Sequence, residues 1–296
     1  MYLLRRFSRL LLAVTLVVFA VFLYQHRAGV DNRGPVIRTP EGLLEVSVND
    51  PEEILLEGIT ASDPSDGDVT DSVEVENIST FYSGGKRLVT YVAFDSDNHV
   101  ARATRELKYT DYESPRFTLS EPLQYLPGSV NLKVSAQDCL DGDITSAIRL
   151  VTENVITTDQ PGSYEVTFQA ANSAGDVSSL PVTIEILDRE MQGAPSVLLT
   201  TWLDYIPQGS GFDPYTYVES VKIGNRTYRM VRGEGNYNRS DIGRDEEIVV
   251  GTDMVQVRGS VDTSRPGTYR ITYNITIDRG RGDVVTSRTP LYVVVR

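Results

Sequence analysis

Ala61-Ser-Asp63-Pro-Ser-Asp66-Gly67-Asp68-Val69-Thr70-Asp-Ser-Val73 returns downstream as Ala136-Gln-Asp138-Cys-Leu-Asp141-Gly142-Asp143-Ile144-Thr145-Ser-Ala-Ile148. Both copies read A-x-D-x-x-D-G-D-[VI]-T-x-x-[VI], and such self-similarity marks a row of small units, each with its own core. A second pair lies further along: Tyr91-Val-Ala93-Phe-Asp95-Ser96-Asp-Asn-His-Val100 against Phe168-Gln-Ala170-Ala-Asn172-Ser173-Ala-Gly-Asp-Val177. Prolines 35, 115 and 195 each follow a short polar stretch and lock the chain as it enters a first strand. They set modules at 35–110, 111–194 and 195–296.

Apolar residues alternate with period two inside each module. The expected strands are Leu44-Val46-Val48, Ile54-Leu56-Gly58, Leu88 to Phe94 and Ala101 to Tyr109 in the first, and Val130-Leu132-Val134, Tyr164-Val166-Phe168 and Val182-Ile184-Ile186 in the second. Tyr269-Ile271-Tyr273-Ile275 and Leu291 to Val295 belong to the third. Short alternating strands between Gly, Pro and Asn turns, without an amphipathic helix, predict an all-β fold of tandem Ig-like β-sandwiches. In that fold the D-G-D segment is the B–C connection and Asp95 or Asn172 opens the F–G hairpin, so the two loops share one end.

Only residues 10–24, LLLAVTLVVFAVFLY, form a long apolar run, with Arg5, Arg6 and Arg9 before it and Arg27 after it. Arginines ahead of the run predict a cytoplasmic stub at 1–9, a transmembrane signal anchor at 10–27 and a linker at 28–34. A cleaved secretory signal is the competing reading, although the small-x-small cleavage pattern is missing. Either way the modules lie outside the cell membrane. The net charge of −13 argues against a nucleic-acid partner. One cysteine, Cys139, excludes an internal disulfide, so packing alone must hold the exported part together.

The order A-x-D-x-x-D-G-D-[VI]-T, then Pro161-Gly162-Ser-Tyr164, then Ala170-Ala-Asn172-Ser173-Ala-Gly175 resembles the bacterial surface Ig-like repeat. That family occurs in tandem on Gram-positive surface proteins and in some insecticidal crystal proteins. Module two carries the resemblance throughout. Module one replaces the P-G-x-Y turn with Tyr82-Ser-Gly84-Gly85, and module three keeps Pro266-Gly267-Thr-Tyr269 but has an insert at 222–251 in place of the acidic loop. The resemblance implies a non-enzymatic surface protein.

Two readings of the acidic loops use the same atoms. Asp63, Asp66 and Asp68, or Asp138, Asp141 and Asp143, offer hard oxygen ligands for calcium, and Asp111 with Glu113 would complete a site in module two. Alternatively the Asp-Gly step makes a turn and Asp68 or Asp143 caps one helical turn, which explains every fixed position without an ion. Turn and cap chemistry is the preferred reading, and no cofactor is expected. Arg226, Arg229, Arg232, Tyr237 and Arg239 in the insert suit recognition of an acidic protein or a cell-wall polysaccharide, with a solvated hairpin as the plainer account. Arg281-Gly282-Asp283 matches the integrin tripeptide, a string short enough to arise by chance. Trp202 and Tyr205 are expected as core aromatics.

Catalytic chemistry has little to work with. The histidines are His26, beside the apolar run, and His99, in an expected turn. There is no G-x-S-x-G nucleophile motif, and acidic neighbours discourage a Cys139 thiolate. Paired carboxylates leave a glycosidase as the remaining enzymatic alternative. The expectation is two acidic spacers followed by a divergent third module that contacts a partner in cell adhesion; the alternative is a stalk or envelope-assembly component with no ligand.

Overall fold

The computed structural model describes residues 2–28, 33–152, 157–237, 243–278 and 284–296, with side chains of the first helix from 6 to 24. Two compact units result, Met1–Tyr112 and Glu113–Arg296.

The first unit begins with helix α1, Tyr2–Ala28. Its segment Arg6–Tyr24 has a mean hydropathy of 2.2 and is long and apolar enough to cross a membrane. The apolar run alone is shorter than a bilayer core, but the helix continues through the flanking arginines. Twenty-seven residues give a rod of about 40 Å.

A β-sandwich follows in the same unit. Its strands are β1 (Val36–Arg38), β2 (Leu44–Val46), β3 (Thr60–Asp63), β4 (Gly67–Asp68), β5 (Glu74–Ile78), β6 (Lys86–Phe94) and β7 (Val100–Tyr109). They form sheets β1-β3-β4 and β2-β7-β6-β5, with β2 parallel to β7. Val89, Tyr91, Ala93 and Leu107 point between the sheets and are fully buried. Ile54-Leu56-Gly58 is not a strand. Pro51 opens a 3-10 turn over Glu52–Leu56, and Leu55, between the alternating pair, is the side chain that enters the core.

The second unit holds two sandwiches. Strands β8 (Arg116–Leu119), β9 (Gln124–Tyr125), β10 (Val134–Asp138), β11 (Gly142–Asp143), β12 (Arg149–Val151), β13 (Gly162–Ala171) and β14 (Val177–Ile186) repeat the first sandwich strand for strand. The sheets are β11-β10-β8 and β12-β13-β14-β9, again with the short second strand parallel to the last. Val130 and Leu132 pack against the core without joining a strand, since β10 starts only at Val134.

The third sandwich comprises β15 (Ser196–Leu199), β16 (Leu203–Ile206), β17 (Val218–Ile223), β18 (Arg226–Val231), β19 (Val250–Gly251), β20 (Val255–Arg258), β21 (Gly267–Asp278) and β22 (Val284–Val295). Its sheets are β15-β17-β18-β19 and β16-β22-β21-β20. Where the earlier sandwiches have the short acidic hairpin, this one extends the arm into β17 and β18. The insert is therefore part of the sheet: Val250 is fully buried, and Tyr228, Met230 and Tyr237 pack on the same core.

Candidate functional site

The acidic loops are built identically in both copies. Gly67 and Gly142 have φ of 76° and 71°, a left-handed turn that glycine adopts without a Cβ clash. Asp63 Oδ1 accepts the N–H groups of Ser65 and Asp66 at 2.7 and 3.0 Å, and Asp138 Oδ1 accepts those of Leu140 and Asp141 at 2.9 and 3.0 Å. These are Asx turns. One residue past the glycine, Asp68 accepts the Thr70 N–H at 3.0 Å and Asp143 the Thr145 N–H at 2.9 Å. Those threonines start single 3-10 turns, Thr70–Ser72 and Thr145–Ala147. Hydrogen bonds from the Thr70 side chain and backbone hold the Asp68 carboxyl below the usual range, and Thr145 does the same for Asp143. The turns put Val73 and Ile144 into their cores, with Val69 and Ile148 packed beside them.

The middle aspartate reaches across to the F–G hairpin. Asp66 accepts the Ser96 N–H at 2.7 Å and its hydroxyl at 2.9 Å; Asp141 takes the same groups of Ser173 at 2.5 and 2.7 Å. Each loop is thus a clasp between the two sheets. The copies differ at one bond. In the second sandwich Asn172 Nδ2 donates to Asp138 Oδ2 at 3.1 Å while Asn172 Oδ1 accepts the Asp176 N–H at 2.9 Å. In the first, Asp95 stands in place of Asn172, accepts the His99 N–H at 2.8 Å and faces His99 Nδ1 at 2.7 Å. Asp63 is 5% exposed, and its Oδ2 is buried with no hydrogen-bond partner among the described residues.

Asp111 and Glu113 are engaged elsewhere. Asp111 accepts the Ser47 hydroxyl at 2.6 Å and the Val48 N–H at 2.8 Å, which hold its carboxyl below the usual range, and Glu113 pairs with Arg116 at 2.7 Å. Among the described residues no three or more His, Cys, Asp or Glu side chains converge as metal ligands. Cys139 Sγ donates to the Glu113 carbonyl at 3.2 Å, and partial burial, more than the neighbouring Asp138, pushes the thiol up.

In the insert, Arg229 pairs with Glu247 at 3.1 Å and Arg232 pairs with Asp213. Tyr237 packs edge-on against Tyr228 with ring centroids 5.1 Å apart, and burial pushes its hydroxyl up. Arg226 is exposed at the start of β18. Arg239 and the Arg281-Gly282-Asp283 string lie outside the described residues.

Sequence reading misses the seam between the second and third sandwiches. Tyr292 is 2% exposed and belongs, with Leu203, to the core of the second sandwich, while Leu291 and Val293 on the same strand fill the core of the third. The outer face of the β16-β22 pair is therefore a docking face. The unbroken run Leu291-Tyr-Val-Val-Val295 is the available signal, because a strand buried on both faces loses its alternation. Tyr205, expected in a core, lies at the seam with its hydroxyl accepting the Phe117 N–H at 2.8 Å, and Trp202 packs against both cores. A groove of about 530 Å³ runs beside it, lined by Thr152, Glu165, Thr183, Thr268, Arg270 and Tyr292 among others.

The family described as bacterial surface protein, Ig-like domain has a model that matches residues 223–289. The matched stretch covers most of the insert, where the sequence resemblance is weakest, and runs on into β22. The pesticidal crystal protein Cry22Aa of Bacillus thuringiensis is 26% identical over 227 residues, covering 74% of this chain and 27% of that protein. An uncharacterized 81.3 kDa protein of Acholeplasma phage L2 is 25% identical over 181 residues, covering 61% of this chain and 23% of its own length. The chain spans about a quarter of the curated relatives it matches. Among solved structures, the CBM51-2 and INT domains of Clostridium perfringens ZmpB in complex with GlcNAc align at 17% identity over 52% of this chain and 42% of that one, with a TM-score of 0.21. The protocadherin gamma B4 ectodomain aligns at 13% identity over 90% of this chain and 49% of its own, with a TM-score of 0.19. Scores this low carry no argument.

Proposed function

We propose that this chain, whose residues 223–289 match the Ig-like domain of bacterial surface proteins, is a non-enzymatic surface protein tethered through its N-terminal helix. The first two sandwiches act as acidic spacers. The third contacts the partner, a protein or a cell-wall polysaccharide, with Arg226 as the exposed anchor of the β17–β18 arm. The observation that carries this reading is the change from an acidic clasp to an arginine-rich arm at one place in the fold. Residues 195–296 carry thirteen Lys and Arg against twelve Asp and Glu, whereas residues 111–194 carry four against thirteen.

A ligand-free stalk is the second reading. It is favoured by the pairing of Arg229 with Glu247 and Arg232 with Asp213, which leaves those guanidinium groups partly spent within the arm. Deleting 222–251 would remove β18 and Val250 from the core, so surface substitutions are the appropriate test. We expect wild type to cosediment with purified peptidoglycan or to retain a specific surface protein, and Arg226→Glu with Arg229→Glu to lose at least tenfold in that binding while keeping its melting temperature. Binding unchanged in the double variant would reject the arm as the contact, and a wild type that retains nothing would leave the stalk.

A further inference from the structure

Side chains of the third sandwich satisfy main-chain groups of the second at the seam. Thr183 on β14 pairs with Glu165 of β13 on one side; on the other side β9 reaches only Glu185 and Ile186. Beyond the end of β9 the Tyr292 hydroxyl takes over, accepting the Thr183 N–H at 2.8 Å and donating to the Thr183 carbonyl at 3.0 Å. One phenol from the third sandwich thus stands in for a missing strand. Tyr205 does the same for the Phe117 N–H on β8, with the Arg116 and Arg296 guanidinium groups 5.5 and 4.6 Å from its ring centroid.

A buried charge is shared across the same surface. Glu185 on β14 is 5% exposed, and its two oxygens are taken by Arg270 of β21 and by Gln124 Nε2, the latter at 2.6 Å. Gln124 also donates to the Arg288 carbonyl of β22 at 2.8 Å. Without the third sandwich, Glu185 would lose its counter-ion and Leu203 and Tyr292 would leave the second core. Undocking would break these bonds and return the Glu185 carboxylate, together with the apolar faces of Leu203 and Tyr292, to water.

We infer that the second and third sandwiches form one cooperative block, in which the outer face of β16 and β22 is an obligatory docking surface that completes the second sandwich.

The only tryptophan, Trp202, packs against both cores and reports on the seam. The test uses the full chain in detergent micelles, unfolded in urea, with Trp202 fluorescence and hydrogen-exchange mass spectrometry of peptides from both sandwiches. Val197→Ala opens a hole in the third core, on β15 of the sheet opposite the one that carries β16 and β22. Peptides 162–186 of the second sandwich are expected to exchange on the order of tenfold faster in that variant, in step with those of the third, and all probes to share one lowered midpoint. Tyr292→Phe, which keeps the packing and removes two hydrogen bonds, is expected to lower the same single midpoint. Second-sandwich peptides that keep wild-type exchange and midpoint in both variants while the third loosens would overturn the inference.

Discussion

At residue scale, one substitution between the repeats changes the bonding of a buried aspartate. The amide of Asn172 gives Asp138 a donor, whereas Asp95, which stands at that place in the first repeat, faces His99, and Asp63 Oδ2 has no donor among the described residues. A buried acceptor left without a donor costs roughly 1–3 kcal/mol. Asp95→Asn would supply the missing donor, and we expect it to raise the midpoint of the first sandwich by a few degrees in differential scanning calorimetry of the full chain; the reverse change, Asn172→Asp, should lower that of the second. A drop on Asp95→Asn would show that the His99 contact outweighs the amide. Asp68 and Asp143 carry an acid dependence as well. Both folded-state carboxyls are held below their usual range, so their contribution is present above the unfolded value of about 3.9 and is lost as pH falls through the folded value. Asp143→Asn should flatten the acid limb of the second sandwich's melting curve below about pH 4, and an unchanged limb would assign acid sensitivity to other groups.

The clasp is the element that ties these residues together. Its fixed positions were readable as turn and cap chemistry because each rests on a local rule: left-handed glycine, Asx turn, threonine opening a helical turn. The crossing bonds from Asp66 to Ser96 and from Asp141 to Ser173 were not, since they join residues about thirty apart; only the second repeated segment hints that those serines matter. Period two misplaced a strand at Ile54 because Ile54-Leu55-Leu56 is apolar throughout and the turn selects its middle member. The seam was hidden for a related reason. Tyr205 reads as an ordinary core aromatic, and nothing local tells a strand buried by its own sandwich from one buried by the next. If the clasps are structural, calcium has little to add: melting of the full chain should be the same in millimolar calcium and in chelator, whereas a calcium-dependent rise that Asp141→Ala abolishes would restore the ion reading. Asp141→Ala itself should lower the second sandwich's midpoint by a few degrees in both conditions, through loss of the two serine bonds.

On the scale of the whole molecule, sequence and structure agree on the main outline: an apolar N-terminal helix, then all-β Ig-like architecture in which cores rather than disulfides provide stability. Leu107 is fully buried in the first unit, and Leu107→Ala should cost about 2–5 kcal/mol there while leaving the second unit's transition in place, since the two units have separate cores. Function at this scale rests on where the sandwiches reside. The most direct measurement is protease shaving of intact cells combined with N-terminal sequencing of the membrane fraction. The account predicts that the sandwiches are released from outside while a membrane-held fragment retains the residues ahead of Arg9; a mature chain that begins near Ala28 and is found free in the medium would contradict it.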